Sequence, residues 1–451
     1  MPSLVWQVVI SCALLQLAAC AGYEPAPLDR DRLDAALATP DEVILARQAR
    51  ELRHPRIAPI ALDFSQPLTG DELAVIAVLV NPDLKALRAK EGVAEAQVFD
   101  AGLLPDPQLA LGLDHPTSTQ PNLVNAYNLG LSWDILGLIT RRAAVRSAEA
   151  KRTQVHYDVA WNEWMVANQA RLLAARVTYL NAQRRLAQDA VDTAARLLEA
   201  SRRNLERHDI KIDELALRQV AYLDAQDRTL ALTRDLEKSR QELNHNLGLP
   251  STEFVPVAED LRSALPALNA QALFDVAREE RLDLVALRAG YGAQESDLYR
   301  DLLARFPQVN LGLHRARDTS AIDTIGLSIG VTLPIFNGNR GTIAIARATR
   351  DQLYAEYVAR LVKTRADIAT LVADLERIQR EIDPLVHELP ELQKAEARLR
   401  EGVANGDVTL VSYETVRASL LDKRLKLSSL EQAAAEQRVA LQLATGTSLH
   451  S

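Results

Sequence analysis

The chain has 451 residues, 48% hydrophobic and 25% charged, enough apolar material for a large packed structure. Its 52 basic and 60 acidic residues leave a net charge of −8, which argues against a nucleic-acid partner. The only cysteines are Cys12 and Cys20, which excludes a disulfide framework and a cysteine-based metal site.

Both cysteines lie in or beside an apolar leader from Leu4 to Ala19, too short and too interrupted by Gln7, Ser11 and Gln16 for a transmembrane helix. The leader ends Leu17-Ala18-Ala19-Cys20, which resembles a bacterial lipobox, so residues 1–19 are expected to be a signal peptide. Cys20 is then the lipid anchor, acylated by palmitate-type chains. An ordinary signal peptide cut near Ala19 is the alternative. Ala21 after the cysteine fits an outer-membrane destination. No other run of 18 apolar residues occurs, which excludes a polytopic helical membrane protein.

Residues 20–70 are rich in Pro, Asp and Arg and read as an irregular, extended lead-in. Helical sequence begins near 71 and runs to 102. The stretch Asn81-Pro-Asp-Leu-Lys-Ala-Leu-Arg-Ala89 then returns as Arg281-Leu-Asp-Leu-Val-Ala-Leu-Arg-Ala289, 200 residues later. Pro107-Gln-Leu-Ala-Leu-Gly-Leu113 returns as Pro307-Gln-Val-Asn-Leu-Gly-Leu313 with the same offset. Internal duplication therefore organises the chain, with one copy at 71–260 and the other at 261–451.

Within each copy two short segments switch to period two. Leu109, Leu111 and Leu113 alternate with polar or small residues, as do Tyr127, Leu129, Leu131 and Trp133. In the second copy Val309, Leu311 and Leu313 do the same, followed by Ile325, Leu327, Ile329, Val331 and Leu333. All these apolar positions are odd-numbered. The opposite face carries Gln108, Asn128, Ser132, Gln308, Asn310, Ser328 and Thr332. A half-buried sheet on its own helices would alternate in this way, and so would strands crossing a bilayer with these polar residues lining a lumen. Four strands cannot close a barrel, and lipid does not tolerate open edges, so membrane hairpins require several chains to share one barrel.

The segment Arg141 to Leu247 holds no glycine or proline and is dominated by Ala, Leu, Arg, Glu and Gln. Its break is expected at Arg207-His208-Asp209-Ile210-Lys211. That gives a helix of roughly 65 residues, about 97 Å long, and a returning helix of about 37. The second copy supplies helices at 341–402 and 407–445, and 270–304 reads as one further helix. Pro384 and Pro390 are expected to interrupt and kink the second long helix. Trp161 and Trp164, three apart, read as packing anchors.

With these parts assembled, NPDLKALRAKEGVAEAQ at 81–97, LLPDPQLALGL at 103–113, LSIGVTLPIFNGNRGTIAIARA at 327–348 and EGVANGDVTLVSYETVRASLLD at 401–422 are similar to the outer membrane efflux protein family typified by TolC. The phrase AGLLPDPQL resembles its heavy-metal branch. The resemblance covers about 70–447. It implies a mainly α fold with a small β part: a homotrimer with a 12-stranded barrel in the cell outer membrane, continued by a helical tunnel in the periplasm. The partners it implies are a periplasmic adaptor and an inner-membrane pump, with the channel as their exit duct.

No enzyme motif, cofactor site or metal site is visible in the sequence. The family's gate lies at the periplasmic tips of the helices, here 206–214 and 402–414. Ser412 and Thr415 stand where the family's carboxylates are expected, so Asp213, Glu214, Asp407 and Glu414 are the gate candidates. A non-conducting, lipid-anchored envelope coiled coil and a type I secretion duct remain the alternatives at this stage.

Overall fold

The computed structural model describes residues 23–118, 122–259 and 268–448. The expected signal peptide and Cys20 lie outside the described residues. The chain divides into two units, Met1–Glu42 and Val43–Ser451. Among the described residues of the first, α1 (Arg30–Leu37) starts at Asp29, whose carboxylate accepts from the Arg32 amide at 2.9 Å. Together with α2 (Glu42–Glu51), this corrects the expectation of a wholly irregular lead-in. Leu45 and Ala49, four apart on α2, are buried, so one amphipathic face holds that helix.

The next elements are α3 (Gly70–Val80), α4 (Pro82–Gly102), β1 (Gln108–Asp114), β2 (Ala126–Asp134), α5 (Ile135–Glu206) and α6 (Ile212–Asn246). The second copy repeats them as α7 (Ala270–Glu280), α8 (Leu282–Leu303), β3 (Gln308–Arg317), β4 (Asp323–Thr332), α9 (Arg340–Asn405) and α10 (Leu410–Thr445). The break after Glu206 falls where the polar pentapeptide placed it. α5 begins six residues earlier than the composition suggested, because the Asp134 carboxylate caps the Leu136 amide at 3.0 Å. α9 runs through Pro384 and Pro390 without interruption, contrary to expectation. Each proline removes one amide donor, and buried Ile382, Leu385 and Leu389 hold the surrounding turns in place.

The helices expected at 71–102 and 270–304 are each broken once, at equivalent positions. Asn81 (φ −54°, ψ 124°) and Arg281 (φ −67°, ψ 122°) are both extended. Pro82 disfavours helical backbone at Asn81, whose side-chain oxygen caps the Leu84 amide at 3.1 Å. The Asn81 amide group also donates to the Asn246 carbonyl at 2.9 Å, and the Arg281 guanidinium donates to the Ala444 carbonyl at 3.0 Å. Each break thus receives the end of its own copy's ascending helix. Gly248 (φ 63°) and Gly446 (φ 72°) close those ends, and a Cβ on either would lie 3.0 Å from Pro82 Cδ or Arg281 Cα.

The largest core forms around α3, apolar on all sides, with Leu73 to Val78 and Val80 buried. Thr69 and Glu72 start it with a reciprocal capping box. Trp164 (fully buried) and Trp161 (8% exposed) anchor α5 in this core, as expected. A strap at 52–69 adds buried Ile57, Leu62 and Leu68 to the same core and is pinned through His54.

His54 Nδ1 accepts from both the Arg56 and Ile57 amides at 3.0 Å, so its Nε2–H donates to the Ala160 carbonyl at 2.9 Å. Glu163, Arg88 and Arg56 are the charged groups around it, and Glu163 Oε2 lies 3.6 Å away. Burial pushes its pKa below the ordinary histidine value, with the Ala160 hydrogen bond and Glu163 opposing. The neutral ring is therefore the folded form. Its stabilisation is complete above the unfolded histidine pKa, and falls as pH drops through that value towards the lowered folded one. The expected result is that protease cleavage within 52–62 accelerates between pH 7.5 and pH 5. His54→Asn, which keeps an acceptor and cannot titrate, flattens that dependence. An equal acceleration in both proteins would remove His54 as its cause.

Candidate functional site

The four strands form one antiparallel sheet in the order β1-β2-β3-β4. Its registers carry the apolar rows across: Leu109, Leu131, Leu313 and Leu327 face one another in sequence, as do Trp133, Leu311 and Ile329. The odd-numbered face is not covered by the chain's own helices. Leu111 is 67% exposed, Leu131 48% and Leu327 81%. A single-chain sheet with an uncovered apolar face of this size marks an interaction with lipid or another chain.

The other face places Gln108, Ser132, Gly312 and Ser328 in one row and Gly112, Asn128, Ala316 and Thr324 in another. All seven lumen candidates lie on this even-numbered side, with Gln308, Asn310 and Thr332 at its helix-proximal end. His314 also lies on this side and was not among the candidates. Its ring lies over Gly326, where a Cβ would come within 2.8 Å of it.

The apolar alternation read in the sequence stops at Leu313, whereas β3 continues to Arg317. Arg315 and Arg317 sit on the apolar side at the loop end, in rows with Leu129 and Tyr127. The Tyr127 hydroxyl donates to Asp323 Oδ1 at 2.8 Å, and at the opposite border Trp133 Nε1 donates to the Pro105 carbonyl at 2.6 Å. One aromatic with a polar partner thus marks each end of β2, about 20 Å apart along the strand. Strand pairing at Arg315 and Arg317 was not signalled, because two arginines at odd positions end the apolar alternation.

The second part of the site is the helix tips. His208 (φ 61°) turns the chain between α5 and α6, and Gly406 (φ 81°) does so between α9 and α10. Asp213 and Glu214 occupy the first turn of α6, where the helix dipole favours them; Asp213 is exposed and Glu214 half-buried. Asp407 is exposed in the turn, its amide bonded to the Gly402 carbonyl at 2.8 Å. Glu414 is not a free carboxylate, because it is paired with Arg218 of α6. The structure therefore joins Glu414 to the other hairpin and leaves Asp213 and Asp407 exposed at separate tips.

Further ties run between the two hairpins. Arg228 Nη1 donates to Asp422 Oδ1 at 2.6 Å, and Arg417 donates to the Thr193 hydroxyl. Higher up, Arg176 grips Glu436 with two 2.9 Å bonds. Burial works to raise the Glu436 pKa, but the hydrogen bonds from Arg176 and Gln432 hold it below the ordinary value. Burial likewise raises the Tyr413 phenol, aided by its 3.0 Å bond to Glu396. Between these ties small residues, among them Ala187, Ala190, Ala194, Ala221 and Ala225, leave a cavity of about 520 Å³. Polar contacts cross this space, whose lining also includes Leu186, Leu197, Leu420 and Leu421.

Among the described residues no helix is long and apolar enough to cross a membrane. No group of three or more metal-ligating side chains gathers among them either.

Residues 265–447 match the family model described as outer membrane efflux protein. The chain is 26% identical over 298 residues to the cobalt-zinc-cadmium resistance protein CzcC of Cupriavidus metallidurans, covering 65% of this chain and 69% of that one. Its fold is similar to the outer membrane protein VceC of Vibrio cholerae, with a TM-score of 0.68 and 17% identity, covering 84% of this chain and 97% of VceC. It is also similar to the open state of the MtrE outer membrane channel of Neisseria gonorrhoeae, with a TM-score of 0.63 and 18% identity, covering 88% and 97% of the two chains.

Proposed function

We propose that this chain belongs to the outer membrane efflux protein family, whose model matches residues 265–447, and that it is the passive outer-membrane channel of a tripartite efflux system. Three copies pool their sheets into a 12-stranded barrel, and their helical hairpins continue it as a tunnel into the periplasm. There the tunnel meets a periplasmic adaptor and an inner-membrane pump. The observation that carries this reading is the uncovered odd-numbered apolar face set against the polar even-numbered one. A sheet of that kind is stable in lipid only with both edges paired.

Gln108, Asn128, Ser132, Gln308, Asn310, Ser328 and Thr332 line the lumen in this reading. Cys20 is the lipid anchor, behind a signal peptide at 1–19. Residues 71–260 and 261–451 are the two efflux repeats after a lead-in at 20–70. The likeness to a cobalt-zinc-cadmium resistance protein supports divalent metal ions as cargo. Zinc and cobalt tolerance of a deletion strain, with and without the gene restored, reads that out. The chain acts as a conduit, with no chemical step of its own.

Asp213, Glu214, Asp407 and Glu414 form the gate region, where three-fold symmetry turns each lumen-facing carboxylate into a ring of three. Planar-bilayer recording is the test. The purified protein is expected to conduct, and Asp213→Asn combined with Glu214→Gln to reduce cation preference several-fold. No conductance under any gating condition would return the chain to the envelope-tether reading. Normal conductance with unchanged selectivity would remove Asp213 and Glu214 from the gate alone.

A further inference from the structure

We propose that the free edge of β4 pairs with the free edge of β1 of a second copy in one fixed register, in which the two residue numbers add to 444. The inference rests on the trimeric reading above and deepens it.

Paired residue numbers add to 240 between β1 and β2 and to 640 between β3 and β4. The second hairpin is therefore the first with every strand advanced by 200, the offset already present in the sequence. The junction between the two copies, β2 with β3, adds to 444. The junction between one chain's β4 and the next chain's β1 is the same junction advanced by one repeat. β4 is β2 plus 200 and β1 is β3 minus 200, so the sum is again 444. Val331 then faces Leu113 of the partner subunit, and Leu333 faces Leu111 of the partner subunit.

Three further observations agree. First, the Asp318 amide donates to the Ile322 carbonyl at 3.1 Å, so even-numbered residues of β3 and β4 bond to each other. Odd-numbered residues of β4 therefore point their backbone groups at the free edge. By the repeat, the odd residues of β1 point at its free edge too. Of the flanking prolines, Pro116 and Pro334 are even and point away from the proposed ladder, while Pro107 is odd and would face residue 337, beyond the end of β4 at Thr332.

Second, β1 stops at Asp114, while its counterpart β3 runs on to Arg317. The residues left unpaired, 115–117, are those that would face 327–329 of a neighbour, as 315–317 face 127–129 within the chain. In this register the β4 of a neighbour would offer 115–117 a partner. Third, an even sum sets odd against odd, so the apolar rows continue across the seam. A one-residue slip would turn one chain's leucines towards the lumen.

Disulfide trapping tests the register in the full-length protein in membranes, where the sequence offers only Cys12 and Cys20 as native cysteines. Asp114→Cys with Gly330→Cys obeys the sum, and a Cβ at Gly330 meets only Asn310 Cβ at 3.8 Å. Asp114→Cys with Ser328→Cys or with Thr332→Cys are neighbouring registers, whose Cα atoms would lie roughly 7–8 Å apart, beyond disulfide reach. The expected result is covalent dimers and trimers at least ten-fold more abundant with Cys at 330 than at 328 or 332. Gly112→Cys with Thr332→Cys is a second pair obeying the sum, and a Cβ at Gly112 meets only Asn128 Cβ at 3.6 Å.

Stronger trapping at 328 or 332, or no trapping from either matched pair in a protein that an amine cross-linker still captures as a trimer, would overturn the register and leave the channel reading standing. Failure of the unmodified protein to yield any trimer with that cross-linker would overturn both.

Discussion

Leu131→Arg is expected to abolish the membrane-assembled form of the protein, whereas Asn128→Arg on the same strand is expected to leave it intact. β2 is paired on both sides, so neither substitution touches a free edge. Leu131 lies in the row of four leucines on the odd-numbered face. An arginine on the lipid side near the bilayer midplane costs about 2–4 kcal/mol, and a trimer carries three of them, so roughly 6–12 kcal/mol per assembly. That is of the same order as the whole stability of a typical domain, about 5–15 kcal/mol. Asn128 points to the opposite side, between Gly112 and Ala316, where small neighbours leave room for a long side chain. Heat-resistant trimer on a gel, together with the amount in the outer-membrane fraction, measures both variants. Equal tolerance of the two would show that the odd-numbered face does not meet lipid, and the pore reading would fail with it.

The reason such a contrast can be drawn from the sequence is that period two is a local property. Leu109 to Leu113 and Ile325 to Leu333 declare their faces regardless of what lies opposite. Helix existence was equally legible, since a hundred residues without glycine or proline leave few other choices. The breaks at Asn81 and Arg281 were not. The repeated motif was found, but Arg281 has no proline after it, and its extended backbone is stabilised by groups as distant as Ala444. The strap was hidden for the same reason: His54 owes its place to Ala160, 106 residues away. At the tips the candidate carboxylates were visible as charges, but Arg218 as the partner of Glu414 joins helices that only the tertiary fold brings together. What was legible is set by neighbours in the chain; what was missed is set by neighbours in space.

Arg281 is where that distinction has its largest expected effect on stability. Its guanidinium binds Asp283 through two bonds, 2.8 and 3.2 Å, donates to Ala444 and stacks over Trp161 at 4.6 Å. Both partners are buried, with side chains 9% and 8% exposed. Arg281→Met would leave Asp283 with Arg360 alone, a partner whose side chain is 45% exposed. Breaking a buried pair from one side costs about 3–5 kcal/mol, most of it the desolvated charge left behind. Asp158 adds to this, since burial and then the Asp283 charge already hold its carboxyl above the usual range. A raised carboxyl pKa stabilises the fold at pH below the unfolded value, and that contribution is lost as pH rises through the folded one. The Arg281→Met protein should therefore recover part of its deficit on moving from pH 7.5 to pH 5. Adding Asp283→Asn should restore most of the rest at both pH values, because the unpaired charge is then gone. Urea midpoints of the four proteins of this double-mutant cycle at the two pH values decide it. If the double variant were as unstable as Arg281→Met alone, the loss would belong to packing against Trp161 and to the uncapped Ala444 carbonyl, and the buried charge would not be what fixes the break between α7 and α8.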